Sequence, residues 1–312
     1  MSRFEHEVAF LFPGQGSQTP GMGQEYLREP TSRRVFEEAD DILGWKLSDL
    51  CSEGSAEELK RTDRAQPAVL TVSVAALRLL QEKSGLRPRA CLGHSLGEYT
   101  ALVAAGALEF SDALRCVQSR GELLDRALPA NTGGMAAVLG LERERVESVC
   151  AGIGDGIVVV ANLNAPGQVV ISGHREAIAR CKPGLKAAGA RRVIDLDVSS
   201  AFHSPLMHPA AERLKRVLER VAVNPPRCPV LSNVTARPHG DPRSIRTRLV
   251  EQVTSPVRWA ECVRWVLDSG IKDFIEVGPG DVLAGLNRAI EPSARTAAVQ
   301  NLTRSNGQEK AS

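Results

Sequence analysis

Aromatic side chains are scarce in this chain. They make up 4% of its 312 residues, too few for a surface built to stack nucleic-acid bases. An excess of either charge is also missing: 39 basic and 37 acidic residues leave a formal net charge of +2. That gives no electrostatic case for nucleic acid or for an anionic membrane. No apolar run reaches the roughly 18 residues that a membrane span requires. The opening stretch, MSRFEHEVAFLFPGQGSQ, holds charge and then a short apolar strand, without the long apolar region of a secretory signal. Seven cysteines, at 51, 91, 116, 150, 181, 228 and 262, are scattered, odd in number and form no C-x-x-C. They read as small buried hydrophobes of a reducing compartment rather than as disulfides or metal ligands, so the expectation is a cytoplasmic protein with no metal. Internal repeats and low-complexity tracts are absent as well.

What is present is ordinary globular material, 43% hydrophobic and 24% charged, long enough for a full core. Val8-Ala9-Phe10-Leu11-Phe12 is a continuous apolar run that reads as a buried parallel strand. Ser55-Ala56-Glu57-Glu58 has the pattern of a capping box, and Ala65 to Glu82 that of a strongly apolar helix. This alternation predicts an α/β fold. The texture changes near Asn131. Strands are expected at Met135–Leu139, Ile157–Asn162, Gln168–Ser172 and Arg192–Val198, with helices at Glu142–Val149 and Glu176–Ala188. The order β-α-β-β-α-β is that of a ferredoxin-like unit. The division predicted is therefore a large α/β-hydrolase-like catalytic domain over 1–130 and 199–300, an inserted ferredoxin-like domain over 131–198, and a disordered tail over 301–312. The larger part resumes with a short strand at Pro229–Asn233, a helix at Arg258–Ser269 and a strand at Phe274–Val277. The inserted unit lacks the paired aromatics that an RNA-binding sheet would need.

Gly93-His94-Ser95-Leu96-Gly97 is a G-x-S-x-G pentapeptide between an expected short strand and a helix over Glu98–Leu108. In that context the serine hydroxyl is pushed out of the backbone, and the helix N-terminus offers free N–H groups to an oxyanion. The second clue is an arginine. On the helix predicted over 112–128, Ala113, Leu114, Val117, Gly121 and Leu124 share one face, and Arg120 falls in the middle of it. A guanidinium there requires a partner. An internal acid, or snorkelling to the edge of the face, would serve; so would the carboxylate of a substrate. The residues alone leave these readings open.

A nucleophilic serine also needs a base. Of six histidines, His94 adjoins the serine and reads as pocket support, and His208 as a helix-start residue. His6, His174 and His239 read as surface loop residues. His203, in Ser199-Ser200-Ala201-Phe202-His203-Ser204-Pro205, lies where the chain re-enters the larger part and is the best candidate. His203 with His208 as metal ligands would want a third ligand at a recognised spacing. Asp195 and Asp197 follow the serine in the order of a hydrolase triad but sit on the small-domain strand, and a backbone carbonyl would also orient an imidazole.

Four motifs together resemble the malonyl-CoA:acyl carrier protein transacylase family, which includes polyketide synthase acyltransferase domains. They are Phe12-Pro13-Gly14-Gln15-Gly16-Ser17-Gln18, Gly93-His94-Ser95-Leu96-Gly97-Glu98-Tyr99, Gln118-Ser119-Arg120-Gly121 and Ala201-Phe202-His203-Ser204-Pro205-Leu206-Met207, with Glu276-Val277-Gly278-Pro279-Gly280 in support. The resemblance implies that Ser95 carries the acyl group, that His203 is base and then acid, and that Arg120 binds the malonyl carboxylate. It implies an oxyanion hole from the backbone N–H groups of Gln15 and Leu96, and a main-chain carbonyl of Gln252 that orients His203. Phe202 resembles the malonyl-selecting pattern of polyketide acyltransferases, although Ser200 stands where that pattern carries His. The partners implied are malonyl-CoA as substrate and an acyl carrier protein, with no bound cofactor and the chain taken as a monomer. Lys182, Lys186, Arg191 and Arg192 are candidates for a basic docking rim. An acyl-thioester hydrolase on the same scaffold and a non-catalytic carrier-docking module are the alternatives.

Overall fold

The structure, a computed structural model, describes residues 7–300; His6 and the tail expected over 301–312 lie outside the described residues. Strand β1 (Val8–Phe12) is buried along its whole length, and its pleat shows why a continuous apolar run was required. Val8, Phe10 and Phe12 enter one core with Phe36, Val69 and Tyr99, whereas Ala9 and Leu11 enter another with Trp259, Val263 and Phe274. A strand covered on both faces cannot alternate apolar with polar residues. β1 pairs in parallel with β2 (Ala90–Gly93) and with β7 (Asp273–Glu276), and β7 with β8 (Arg295–Ala298), giving the order β2-β1-β7-β8. The helix Thr62–Ser84 is apolar almost all round and almost wholly buried. Ser55 and Glu58 form both halves of the capping box ahead of the helix Ala56–Lys60.

A second sheet is antiparallel throughout. It comprises β3 (Gly133–Leu139), β4 (Val158–Ala165), β5 (Gln168–His174) and β6 (Arg192–Asp195), in the order β4-β5-β3-β6. The helices Arg143–Ala151 and Arg175–Ala187 cover one of its faces through a core of Ala136, Val138, Val146, Ile171, Ile178 and Leu185. Met135 and Val170, on the other face, belong to the main core and line a cleft against the parallel-sheet part. Backbone bonds Leu163 N–H to Val257 O (2.9 Å) and Val257 N–H to Ala161 O (2.9 Å) tie β4 to the larger part.

Several elements end earlier than their composition suggests. The helix behind the elbow spans Gly97–Ala104 and stops before Leu108, because Gly106 adopts φ 72° and Ala107 N–H turns back to Leu102 O. β6 ends at Asp195, and Leu196–Val198 leave the sheet to line the cleft. The strand expected at Pro229–Asn233 is reduced to isolated bridges, Cys91 with Val230 and Leu231 with Pro238. Pro229 has no N–H to give a ladder, and the chain reverses at Ala236, at φ 51°.

The glycines flanking Ser95 are required for close approach. Their own φ angles are not positive, but a Cβ on Gly97 would lie 2.1 Å from Phe12 O, and one on Gly93 would lie 2.0 Å from the Gly97 carbonyl. Gly97→Ala is therefore expected to destabilise the fold by about 3 kcal/mol through overpacking against backbone, read as a lower urea midpoint at unchanged m-value. A wild-type midpoint would contradict this packing.

Candidate active site

Three loops of different sequence origin meet at Ser95. The first is the elbow itself. Ser95 has φ 53°, a left-handed conformation that a non-glycine residue adopts only where its surroundings hold it. What holds it is visible: Ser95 N–H donates to Asn233 Oδ1 at 2.8 Å, and Asn233 Nδ2 donates to Gly93 O at 2.8 Å. Asn233 thus clamps the turn from both sides. The second loop is Pro13-Gly14-Gln15, seated so closely that a Cβ on Gly14 would lie 2.5 Å from His94 O. The third is the Ser199–Pro205 segment, whose His203 is also left-handed, at φ 58°, and buried.

His203 Nε2 lies 2.8 Å from Ser95 Oγ, and His203 Nδ1 lies 2.8 Å from the main-chain carbonyl of Gln252. A carbonyl accepts only, so Nδ1 carries the ring proton and Nε2 is left as the acceptor facing the serine hydroxyl. Burial, helped by the Arg120 charge, pushes the His203 pKa down to about 3, against the opposing pull of the Gln252 and Ser255 carbonyls. The ring is therefore held neutral, the form a base requires.

Arg120 is 2% exposed, in the middle of the helix Phe110–Asp125. The next residue, Gly121, lets that helix press on the chain at Thr62 and Asp63, where a Cβ would meet Thr62 O at 2.9 Å. The guanidinium donates through Nη1 to Gln66 Oε1 at 2.7 Å, and through Nη2 to Gln252 Oε1 and Ser95 Oγ, both at 3.1 Å. Every acceptor is neutral. Among the described residues no carboxylate oxygen lies within 4.0 Å of it, and its Nε has no partner. The internal-acid reading of Arg120 is thereby set aside. Desolvation lowers its pKa, with Tyr99 and Glu98 pulling the other way.

These groups open on a cleft of about 400 Å³ lined by Gln15, His94, Leu124, Met135, Asn164 and Phe202, among others. The backbone N–H groups of Gln15 and Leu96 donate to no acceptor among the described residues. His94 Nε2 pairs with Asn164 Oδ1 at 2.9 Å, away from His203, and its pKa is lowered by burial. Phe202 is buried in the cleft wall, whereas Ser200 turns onto Met207 Sδ at 3.7 Å.

Other readings of single residues require correction. His239, expected on the surface, is buried with Nε2 2.7 Å from Glu98 Oε1. His174 closes β5 and accepts the Ile157 N–H at 2.9 Å. Asp195 and Asp197 bind Lys182 and Lys60 at the surface, far in role from a triad acid. His208, by contrast, starts its helix as expected and is exposed, and among the described residues no group of three or more His, Cys, Asp or Glu is placed to hold a metal. Gln66, Glu98, Asn164 and Asn233 escaped the sequence reading. For Gln66 the signal was there: like Arg120, it is a polar residue within an apolar helix.

A strand–serine–helix elbow, a neutral histidine on the serine hydroxyl and an open cleft are the arrangement used by one enzyme class, that of covalent serine chemistry on an α/β scaffold. Within that class the chain belongs to the acyl transferase domain family, whose model matches residues 9–309. It is 47% identical over 298 residues to the malonyl CoA-acyl carrier protein transacylase of Bacillus subtilis, covering 95% of this chain and 94% of the relative. It is 43% identical over 306 residues to that of Escherichia coli K12, covering 94% and 99%. It also superimposes with a TM-score of 0.91, at 43% identity over 94% of this chain and 95% of the other, on a malonyl-transacylase solved in complex with a type II PKS acyl-carrier protein.

The depressed His203 pKa predicts an unusual pH profile for Ser95 acylation by a neutral ester such as p-nitrophenyl acetate. Neutral imidazole is the active form and is the form present above the pKa. An ordinary histidine would lose about thirtyfold in rate between pH 7.5 and about pH 5. Here the rate is expected to stay flat over that interval, and an acid limb centred near 6.5 would contradict the assignment.

Proposed function

We propose that this protein transfers a malonyl group from malonyl-CoA to the phosphopantetheine thiol of an acyl carrier protein through an ester on Ser95. The observation that carries the reading is Arg120, a buried cation with only neutral acceptors, 3.1 Å from the nucleophilic oxygen. A free carboxylate on the acyl group is the partner it lacks. The names of the relatives, at 43–47% identity, support the same substrate class.

Ser95 Oγ attacks the thioester carbonyl as His203 Nε2 takes its proton, with Nδ1 held on the Gln252 carbonyl. The oxyanion is received by the N–H groups of Gln15 and Leu96, each such donor typically worth about 3 kcal/mol of barrier. The C–S bond breaks, His203 returns the proton to the departing CoA sulfur, and malonyl remains on Ser95. The carrier thiol then enters, gives its proton to His203 and takes the acyl group, and the Ser95 hydroxyl is restored. Arg120 holds the carboxylate throughout, exchanging its contact with Ser95 Oγ for one with substrate while Gln66 and Gln252 keep it aimed. Phe202 narrows the wall against an α-methyl branch, and His94 on Asn164 braces the pocket.

In this reading 1–130 and 199–300 form the catalytic domain and 131–198 an inserted domain whose open sheet face closes the cleft. One chain supplies every group, so a monomer in the cytoplasm suffices. No helix among the described residues is long and apolar enough to cross a membrane. Lys186, Arg191 and Arg192, exposed beside the inserted sheet, serve for carrier docking, with Lys182 already occupied by Asp195.

Two substitutions test the reading. Ser95→Ala is expected to show no malonyl adduct by mass spectrometry after incubation with malonyl-CoA, and an adduct of normal yield would refute Ser95 as the carrier. Arg120→Ala is expected to lose about 2 kcal/mol or more, at least about thirtyfold, in malonyl transfer, while acetyl transfer is retained or gained. An unchanged malonyl-to-acetyl ratio would show that Arg120 does not read the carboxylate. Release of malonate to water without transfer to a carrier would favour a hydrolase.

A further inference from the structure

Behind Ser95 and His203 lies a buried polar cluster centred on Glu98, a residue that the acyl-transfer steps do not use. Glu98, in the first turn of the helix Gly97–Ala104, is fully buried. His239 Nε2 contacts its Oε1 at 2.7 Å, while the Asn233 N–H (3.0 Å) and Gln252 Nε2 (2.8 Å) both donate to its Oε2. Donors on both oxygens are the pattern of an ionised carboxylate. The other ring nitrogen of His239, Nδ1, is buried with no partner among the described residues.

The nearest role for that negative charge lies across one side chain. Gln252 stands between Glu98 and Arg120, giving Nε2 to Glu98 and to Ser95 O (2.9 Å), and accepting Arg120 Nη2 on Oε1 at 3.1 Å. An amide has one donor end and one acceptor end. An anion at its nitrogen therefore forces its oxygen toward whatever lies opposite, here the guanidinium. Direct contact between Glu98 and Arg120 would instead close the arginine to any incoming carboxylate.

We infer that Glu98 is a positioning residue for substrate selection: through the Gln252 amide it aims Arg120 while leaving it without an internal carboxylate partner. The inference rests on the reading of Arg120 as the group that binds the malonyl carboxylate. Without the charge on Glu98 the amide nitrogen keeps only neutral acceptors, Ser95 O at 2.9 Å and Asn233 Oδ1 at 3.4 Å beside position 98, so its hold weakens and Arg120 is aimed less firmly. The reacting pair is spared, because His203 rests on the main-chain carbonyl of Gln252, the Asn233 side chain holds Ser95 N–H and Gly93 O, and a neutral amide oxygen at position 98 still accepts the Asn233 N–H.

Glu98→Gln keeps the shape and removes the charge. Two rates of Ser95 acylation on the full chain separate the roles: malonylation by malonyl-CoA, followed by rapid-quench mass spectrometry, and the burst with p-nitrophenyl acetate, which has no carboxylate. The malonylation rate is expected to fall at least about tenfold while the acetate burst stays within about threefold of wild type. Equal loss of both would make Glu98 only a support of the elbow, and an unchanged malonylation rate would remove it from selection; either overturns the inference. Should Glu98→Gln not fold, Gln252→Met deletes the amide but keeps the carbonyl under His203. Malonylation is again expected to fall at least about tenfold, and a wild-type rate overturns the inference. A wild-type protein that takes acetate but not malonyl would overturn the functional reading itself, which keeps the two failures distinct.

Discussion

A guanidinium buried without a carboxylate is the constraint around which this site is arranged. Desolvating a cation is costly unless its hydrogen bonds are met, and an internal acid would be the cheapest remedy. Arg120 instead has Gln66, Gln252 and the Ser95 hydroxyl. Neutral acceptors meet part of its hydrogen-bonding capacity and none of its charge. The amides spread from there: Gln66 Nε2 donates to Gln15 Oε1 at 3.2 Å, Gln15 Nε2 to Thr62 Oγ1 at 3.3 Å, and Thr62 Oγ1 meets Ser199 Oγ at 3.0 Å. The cation is thus connected by side chains to the loop carrying the Gln15 N–H and to the point where the chain leaves the second sheet.

The same centre stores backbone strain in two places. Ser95 and His203 are both non-glycine residues in the left-handed region, a conformation costing on the order of 1–3 kcal/mol each. Asn233 grips the serine turn from both sides. His203 is held by the Gln252 carbonyl on one ring nitrogen and the serine on the other, while Ser204 Oγ turns back to Ala201 O at 2.7 Å. Gly93, Gly97 and Gly14 remove side chains where the elbow and the segment after β1 converge. Preorganisation of this kind places the cost in folding rather than in the reaction.

Much of this was legible in the chain because its signals are local or periodic. The unbroken apolar run at Val8–Phe12 required a strand covered on both faces. The β-α-β-β-α-β texture after Asn131 matched the order of elements found, and Arg120 betrayed itself by breaking an apolar helical face. Element ends were less legible. Gly106 cut a helix that composition would have continued, and Pro229 withheld the N–H that a strand needed. His239 was misread because nothing near it in sequence marks it as buried; its partner Glu98 is 141 residues away.

The sequence by itself determined the α/β architecture, the strand-to-helix context of Ser95 and the anomaly of Arg120, since each depends on residues within a few positions of one another. Only the tertiary structure decided what those groups meet. That His203 reaches Ser95 across 108 residues, that Gln252 lies under it through a backbone atom rather than a side chain, and that Arg120 has amides for neighbours and no acid all depend on long-range packing. A main-chain carbonyl is the same in every residue and an absent carboxylate leaves no mark in the chain, so neither is written in side-chain identity.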